Sequence, residues 1–489
     1  MKQLWTTKSM QDLVADSDAC NLNRSLGTLA LTAIGIGAII GTGIFVLTGL
    51  AAAQYAGPGI VLSFVVAGLG CAFAGLCYAE FAAMVPVSGS AYSYSYATLG
   101  EFIAWFVGWN LVLEYLFAAS TVAVGWSRYL GKLLGDFGIT IPDALSHAPF
   151  AVGSDGASLV VSGGLIDLPA MLIVCALTTL CYIGIRQSAS VNSAIVILKV
   201  TILLVVITAG AFYVTAAYWH PFLPPNTGTF GEYGWSGVLR GAAVVFFAYI
   251  GFDAVSCASQ EARDPSRTVP RGILLSLTLC TVIYIAMGAV LTGLVPYKAL
   301  NDAAPVAVAL DAHEGLRWLK VPVILGALLG LTSTIIVMLI AQSRIFMSMA
   351  RDGLLPSAFS RVHAKFRTPH VATLVTGVAA AIIAGAVPIQ LLGQLVSIGT
   401  LVAFIVVCVG VLVLRHTRPD LARPFRVRAP WLVCTLGVVF CAVMALSLPH
   451  DTWLRLAVWT VIGVVVYFAY GRKHSRLAQA RAAAAPGRK

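Results

Sequence analysis

The sequence predicts an all-α polytopic membrane protein with about twelve transmembrane helices, and three observations lead to this fold class. Of the 489 residues, 59% are hydrophobic and only 10% are charged, against about 25% charged residues in an ordinary soluble domain. The apolar residues fall in long runs, and at roughly 20 residues per span the chain has room for about a dozen helices in the lipid bilayer. The runs do not alternate apolar and polar residues over about 10 positions, which argues against a membrane β-barrel.

The predicted spans follow the apolar runs along the chain. They cover residues 29–52, 59–83, 101–127, 168–185, 191–215, 236–258, 272–295, 321–343, 371–387, 389–414, 430–448 and 452–470. With a cytoplasmic N-terminus, 23 of the 31 Lys and Arg residues lie in cytoplasmic segments and 6 lie outside, whereas the acidic residues divide evenly. Such an excess of basic residues inside is typical of membrane proteins. We therefore expect a multi-pass protein of the inner (cytoplasmic) membrane with both termini in the cytoplasm, and no nucleic-acid partner.

The cysteines and histidines give no sign of disulfides or of a metal centre. Nine of the 10 cysteines fall within predicted spans and Cys20 is cytoplasmic, so none lies in a long external loop where oxidation would form bridges. All 8 histidines lie outside the spans or at their ends, and none forms a ligand pair. We expect free thiols, no metal and no cofactor.

Two apolar runs are interrupted at mid-membrane depth. Residues 34–45 (IGIGAIIGTGIF) contain four glycines within nine positions, and each glycine weakens a helix by about 1 kcal/mol. Residues 246–253 (FFAYIGFD) contain a glycine followed two positions later by Asp253. A helix-packing face of small residues would explain the first glycines, but less well the pair that flanks Thr42. A nucleotide-binding loop is excluded, because the spacing is not GxGxxG and no strand precedes it.

The two interruptions fall in the first and sixth predicted spans, which suggests two five-span repeats. The segments are then an N-terminal cytoplasmic segment (1–28), a first repeat (29–215), a second repeat (236–414), spans 11 and 12 (430–470) and a basic cytoplasmic tail (471–489). Paired helix interruptions indicate a transporter's substrate site, because unwound backbone is tolerated only where it lines a cavity. Exposed N–H groups attract a carboxylate and exposed carbonyls accept from an ammonium group, so the pair would bind a free α-amino acid.

Five motifs carry a resemblance to a known family. They are GIGAIIGTGIFVLTG (35–49), YAEFAAMVPVSGSAYSYSYATLGE (78–101), FFAYIGFDAVS (246–256), EARDPSRTVPRGI (261–273) and RDGLLP (351–356). Over essentially residues 20–470, the sequence resembles the amino acid–polyamine–organocation (APC) superfamily, specifically its cationic amino acid transporter branch. The resemblance implies the inverted-repeat fold of the sodium-coupled leucine transporter class, with broken helices 1 and 6 and two peripheral spans. Gln260 departs from the pattern, because similar sequences often carry the first Glu of a Glu-Glu pair there.

The resemblance also implies a substrate site at the two breaks. Its residues are Ile39, Gly41, Thr42, Gly43, Ile44, Phe247, Ala248 and Ile250. The N–H groups of residues 42–44 and the Thr42 hydroxyl would meet the substrate carboxylate, and the carbonyls of Ile39, Phe247 and Ile250 would meet its ammonium group. Phe247 resembles an aromatic gate, although helix packing also accounts for an isolated Phe. Ala248 would leave room for a side chain.

Among the ionisable residues within the predicted spans, three are functional candidates. An ionisable residue near the centre of a span costs several kcal/mol, so a functional role is the first hypothesis for it. Lys199 stands near the place where several relatives bind sodium and where proton-dependent members carry a lysine. It would couple transport to protons or tie the fifth span to the first. Glu114 would relay a proton, face the substrate side chain or satisfy a buried hydroxyl. Asp253 would sense protonation or cap freed N–H groups beyond the second break.

The resulting hypothesis is a permease, and not an enzyme, that imports L-amino acids by proton symport. An obligate exchanger and a carrier that prefers cationic amino acids remain alternatives, and a non-transporting receptor of the same fold is not separated by sequence. A membrane enzyme would need a nucleophile and a base at membrane depth, and the predicted spans show no such pair. A channel would need rings of polar residues along its pore, and the spans lack these as well. The eighth span is apolar around Met338 and Leu339, so we expect a pocket for small and medium neutral side chains. The sequence gives no indication about a small membrane subunit.

Overall fold

The structure is a computed structural model, and it describes residues 2–9, 26–84, 89–152, 159–184, 189–302 and 304–484. Most of the predicted N-terminal cytoplasmic segment, with Cys20, lies outside these residues, as does the end of the basic tail. The side chains of Cys257 and Gln260 also lie outside the description. The other eight cysteines are free thiols.

The described chain is mostly helical. Nine of its helical stretches are long and apolar enough to cross a membrane: Gly43–Met84, Glu101–Asp136, Ser193–Ala211, Gly234–Ser256, Pro265–Leu294, Glu314–Arg351, Ile389–Thr417, Pro430–Ser447 and His450–Ala480. Three shorter apolar helices are Thr28–Ile39, Leu168–Ile183 and His370–Ala386. This content confirms a polytopic helical membrane protein. The count of twelve spans stays a prediction, because three of the predicted spans correspond to helices too short to cross a membrane by length alone.

We number the helices and strands in chain order. The first ten helices are α1 (Thr28–Ile39), α2 (Thr48–Ala51), α3 (Ile60–Met84), α4 (Ser90–Thr98), α5 (Glu101–Asp136), α6 (Asp143–Ser146), α7 (Leu168–Ile183), α8 (Ala189–Ala211), α9 (Gly234–Val245) and α10 (Ala254–Cys257). The others are α11 (Pro265–Leu294), α12 (Pro305–Asp311), α13 (Arg317–Arg351), α14 (His370–Ala386), α15 (Ile389–Thr417), α16 (Pro430–Ser447), α17 (His450–Val466), α18 (Arg472–His474) and α19 (Arg476–Ala484). A short antiparallel hairpin of β1 (Phe150–Val152) and β2 (Leu159–Val161) lies between α6 and α7.

The helix of the first span is interrupted at mid-length. Helix α1 ends at Ile39, and Ile40 is extended with φ −73° and ψ 101°. Helical structure resumes as a π-helical turn over Gly43–Leu47. The interruption follows from the glycines around it, which lower helix stability on both sides of Ile40.

The sixth span is interrupted in a similar way. Helix α9 ends at Val245, a 3-10 turn covers Phe246–Tyr249, and Ile250 is extended with φ −62° and ψ 137°. Gly251 then has φ +112°, a backbone conformation that residues with a side chain rarely adopt. A Cβ atom at this position would also lie 2.9 Å from Ala38 Cβ. A glycine is therefore required here, and it packs this interruption against the first one.

The sixth span lies at the centre of the bundle. In the most apolar window of Gly234–Ser256, 89% of the residues are buried, compared with 22% for His450–Ala480. Its helix α9 packs against the longer helices α3, α15 and α16. The two interruptions are therefore held deep inside the protein, away from lipid.

One end of the bundle is closed by segments near both chain termini. Lys8 Nζ forms a 2.8 Å ion pair with Asp352, just after α13. Tyr92 of α4 donates to the same carboxylate at 2.7 Å, and Arg476 N donates to the Asp352 carbonyl at 3.0 Å. Asp352 thus joins four separate parts of the chain at this end.

Candidate functional site

A closed cavity lies between the two helix interruptions. Its lining residues are Ala38, Ile39, Gly41, Thr42, Ala118, Val122, Phe247, Ile250, Thr334 and Met338. The cavity has a volume of about 10 Å³, which is close to the space that a single water molecule needs. The structure is therefore closed around the breaks, and the surrounding side chains would have to move before an amino acid could enter.

The structure brings together some of the predicted substrate residues and not others. Six of them line the cavity: Ile39, Gly41, Thr42, Phe247, Ile250 and Met338. Gly43, Ile44, Ala248 and Leu339 are not among the lining residues, although all four are buried. Ala38, Ala118, Val122 and Thr334 complete the wall and were missed. Only Thr334 left a signal in the sequence, a hydroxyl in an apolar span.

Thr42 lines this cavity, and its hydroxyl, which lies against Gly125 of α5, has no partner among the described residues. Thr42 is fully buried, and its Oγ1 makes no hydrogen bond to any described residue. A buried hydroxyl left unpaired costs about 1–3 kcal/mol. It stands where helical structure resumes, and the first N–H groups of a helix have no acceptor within the helix. This side of the cavity therefore offers hydrogen-bond donors that suit a carboxylate.

Backbone carbonyls at the two breaks already accept hydrogen bonds from within the protein. The Tyr284 hydroxyl of α11 lies 3.0 Å from both Ile39 O and Ala248 O, so it joins the two breaks. Ile250 N donates to Phe247 O at 3.2 Å. A carbonyl oxygen has two lone pairs, so Ile39 and Phe247 each keep one acceptor position for an ammonium group.

Lys199 binds the carbonyls that the first break leaves free. Its Nζ donates to Gly37 O and Ile40 O, both at 2.9 Å, and lies 3.1 Å from Thr334 Oγ1. The side chain is 1% exposed and has no ion-pair partner among the described residues. The predicted tie between the fifth and first spans is therefore present as a contact, and Thr334 brings the eighth span into it.

Asp253 lies just past the second break in a buried hydrogen-bond cluster. The hydroxyl of Tyr115 donates to Asp253 Oδ2, and Ser90 Oγ lies 3.4 Å from the same atom. The carboxylate makes no capping hydrogen bond to α10, and Ala254 N donates to Gly251 O instead. The capping role that the sequence suggested for Asp253 is therefore not the arrangement seen.

Glu114 is fully buried near this cluster, and neither carboxylate oxygen makes a hydrogen bond to a described residue. Thr400 lies close to it, but the Thr400 hydroxyl donates to Val396 O at 3.0 Å. Glu114 stands one helical turn from Ala118 of the cavity wall, or roughly 6 Å along α5. Glu114 is thus not among the residues that line the cavity.

The long apolar helices identify a polytopic membrane protein, and the partly polar cavity at the two helix breaks is its candidate internal site. The chain belongs to the amino acid permease family, whose model, described as "Amino acid permease", matches residues 26–467. Its relatives include three transporters from two organisms.

The first is the branched-chain amino acid permease BcaP of Bacillus subtilis (strain 168), which is 46% identical over 96% of this chain and 98% of the relative. The methylthioribose transporter of the same organism is 44% identical over 98% of this chain and 100% of the relative. The mitochondrial cationic amino acid transporter 3 of Arabidopsis thaliana is 40% identical over 81% of this chain and 63% of the relative.

Proposed function

We propose that this protein imports neutral L-amino acids across the cytoplasmic membrane together with protons. The observation that carries the proposal is the closed cavity between two helix breaks, with Thr42, whose buried hydroxyl has no partner among the described residues, in its wall. In such a site, N–H and hydroxyl donors from the first span would hold the substrate carboxylate. Carbonyls of Ile39, Phe247 and Ile250 would hold the ammonium group, while Gly41, Gly43, Ile44 and Ala248 would let the backbone approach.

The proposed architecture is a 5+5 inverted repeat followed by two peripheral spans, with both termini in the cytoplasm. It is supported by the similar interruptions after Ile39 and after Val245 and by the basic residues, which favour one side of the membrane. On this topology, the contact between Lys8 and Asp352 closes the cytoplasmic side.

The proposed substrates follow from the cavity wall. Most of its lining residues are apolar, Ala118, Val122, Phe247 and Met338 among them, and no acidic residue is part of the lining. A lysine or arginine substrate would bring a second positive charge that needs a carboxylate or several carbonyls. Neutral side chains fit this wall better, and the branched-chain permease among the relatives supports the same choice. Because the chain is also similar to a methylthioribose transporter, methylthioribose must be tested beside the amino acids.

The proposed coupling residue is Lys199, with Glu114 and Asp253 as further proton-binding groups. Protonated Lys199 would hold the first span to α8 through Gly37 O and Ile40 O. Loss of the proton would weaken those hydrogen bonds, because bonds from a charged donor are worth about twice those from a neutral one. The inner half of the first span could then move and release the substrate inside.

A thermal-shift screen in detergent tests the substrate. L-leucine, L-alanine, L-arginine and methylthioribose are added singly, and a bound ligand raises the melting temperature by mass action. We expect shifts with leucine and alanine and little with the other two. A shift with methylthioribose alone would contradict the amino acid site, because that molecule has neither an ammonium nor a carboxylate group.

Uptake of radiolabelled L-leucine into proteoliposomes tests the coupling. An inward proton gradient should accelerate uptake by the wild-type protein into vesicles that hold no amino acid, whereas an obligate exchanger would need internal substrate. Lys199→Met should fold and lose the acceleration. Undiminished proton-driven uptake by that variant would remove Lys199 from the mechanism.

A further inference from the structure

Thr334 shares the buried contacts of Lys199. Its Oγ1 lies 3.3 Å from Gly37 O and 3.2 Å from Ile40 O, the two carbonyls to which Lys199 donates. It also lies 3.2 Å from Gly330 O, one turn earlier on α13. Thr334 is 2% exposed and Lys199 is 1% exposed. The hydrogen bonds of these two side chains must therefore be satisfied within the site.

The two protonation states of Lys199 make different demands on this site. An ammonium group has three N–H donors and no acceptor, and it meets three oxygens here, on Gly37, Ile40 and Thr334. A neutral amine has two N–H donors and one lone pair. Its donors fit the two carbonyls, and the lone pair then needs a donor at the third position.

A hydroxyl is the group that meets both demands, because it can accept and donate. When Lys199 is charged, the Thr334 oxygen accepts and its own hydrogen turns to Gly330 O. When Lys199 is neutral, the same hydrogen turns toward Nζ. Only the hydroxyl hydrogen rotates, so the change needs no movement of a heavy atom.

Among the described residues, the titratable groups of the neighbouring helix α11 are Cys280 and Tyr284. Cys280 is a free thiol, and the Tyr284 hydroxyl is engaged with Ile39 O and Ala248 O. The groups that contact Nζ are the backbone carbonyls of Gly37 in α1 and of Ile40 just beyond it, and the Thr334 hydroxyl of α13. Since Lys199 forms no ion pair with a carboxylate in the described part of the chain, its hydrogen bonds carry the difference between the two states.

We propose that Thr334 is a positioning residue for proton coupling, whose hydroxyl lets Lys199 release and regain a proton without leaving its place. The inference rests on the proposed proton coupling at Lys199. It adds the residue that satisfies the hydrogen bonds of both the charged and the neutral form of Lys199. Thr334 also lines the cavity, and its Cγ2 would be 3.3 Å from a Cβ atom at Gly41. One side chain therefore contacts Lys199 and also lines the proposed substrate cavity.

The first test measures the protonation of Lys199 without requiring transport. The melting temperature of the purified full chain is recorded over a pH series, with and without Lys199→Met, in the wild-type and Thr334 backgrounds. The difference between each pair isolates the titration of Lys199. Thr334→Val should move the inflection to lower pH by about 1 unit, because an unpaired charged donor costs more than an unpaired lone pair.

Two variants separate the hydroxyl from the shape of the side chain. Thr334→Ser keeps the hydroxyl and should keep the wild-type inflection. Thr332→Val removes a hydroxyl that donates to Leu328 O at 2.8 Å on the same helix, and should also leave the inflection in place. If Thr334→Val does not fold, Thr334→Ala replaces it with the same expected shift.

Uptake of radiolabelled L-leucine provides the second test. Thr334→Val should lose most of the acceleration by an inward proton gradient, and Thr334→Ser should retain it. An unchanged inflection in Thr334→Val, or an equal shift in Thr334→Ser, would overturn the inference. Absence of proton-driven uptake in the wild-type protein would instead overturn the proposed function, while the titration still decides the role of Thr334.

Discussion

Gly43 and Ala248 are in backbone contact where the two helix breaks meet: a Cβ atom at position 43 would lie only 2.3 Å from Ala248 Cα. Gly251 has the corresponding relationship with Ala38 on the other side of the contact. The two interruptions therefore pack closely against each other at these glycines. A site built in this way depends on the distance between two backbones as much as on the side chains that line it.

Gly43→Ala should push the two breaks apart. Overpacking a closed contact costs about 1–3 kcal/mol, so the melting temperature should fall and L-leucine uptake should fall with it. Gly131→Ala is the matched control, because Gly131 lies within α5 and a Cβ atom there would meet nothing within 4 Å. That control should be neutral or slightly stabilising. Equal behaviour of the two variants in both measurements would show that the contact at Gly43 is not tight.

Tyr284→Phe should disturb the two breaks without adding bulk. The change removes the hydroxyl that lies 3.0 Å from Ile39 O and Ala248 O, and leaving a buried carbonyl unpaired costs about 1–3 kcal/mol. We expect lower stability together with a several-fold higher KM for leucine uptake. Tyr249→Phe removes a similar buried hydroxyl, which donates to Phe64 O at 2.9 Å, and should lower stability with KM unchanged. A rise in KM for both variants would mean that general packing, and not the contact of the Tyr284 hydroxyl with Ile39 O and Ala248 O, sets substrate affinity.

The positions of the helix interruptions and of the buried ionisable residues could be predicted from the sequence. The residues that line the cavity could be predicted only in part. A lysine within an apolar run is costly enough to stand out, and Lys199 indeed contacts the first break. Gly43 was expected to face the substrate, but a glycine required by close packing looks the same in sequence. Ala118 and Val122 left no signal, because small apolar residues occur throughout these helices. The predicted roles of these residues in binding stay predictions.

Asp352→Asn should loosen the end of the bundle that we propose to be cytoplasmic. The change removes the ion pair with Lys8 and weakens the hydrogen bond from Tyr92. A cysteine introduced at Ser256, near Asp253, should then react faster with a thiol reagent that is added from the cytoplasmic side.

The matched control for that change lies at the other end of the bundle. Lys320 forms 2.7 Å ion pairs with Asp136 and Asp311, and Lys320→Ala should leave the labelling rate at Ser256→Cys unchanged. Equal acceleration by both variants would indicate a general loss of stability. No acceleration by Asp352→Asn would show that the Lys8 contact does not limit access from that side.

Excess unlabelled L-arginine should displace labelled L-leucine poorly in an uptake competition. The cavity lining has no acidic residue, and Glu114 lies a helical turn beyond Ala118, so a guanidinium group would enter without a partner. A difference of 1.4 kcal/mol already changes affinity tenfold, and an unpaired charge costs more than that. We therefore expect the concentration of arginine for half-inhibition to exceed that of unlabelled leucine by more than about tenfold. Glu114→Gln should leave this ratio unchanged. Inhibition by arginine as strong as by leucine, lost in Glu114→Gln, would make Glu114 a receptor for cationic side chains and overturn the neutral assignment.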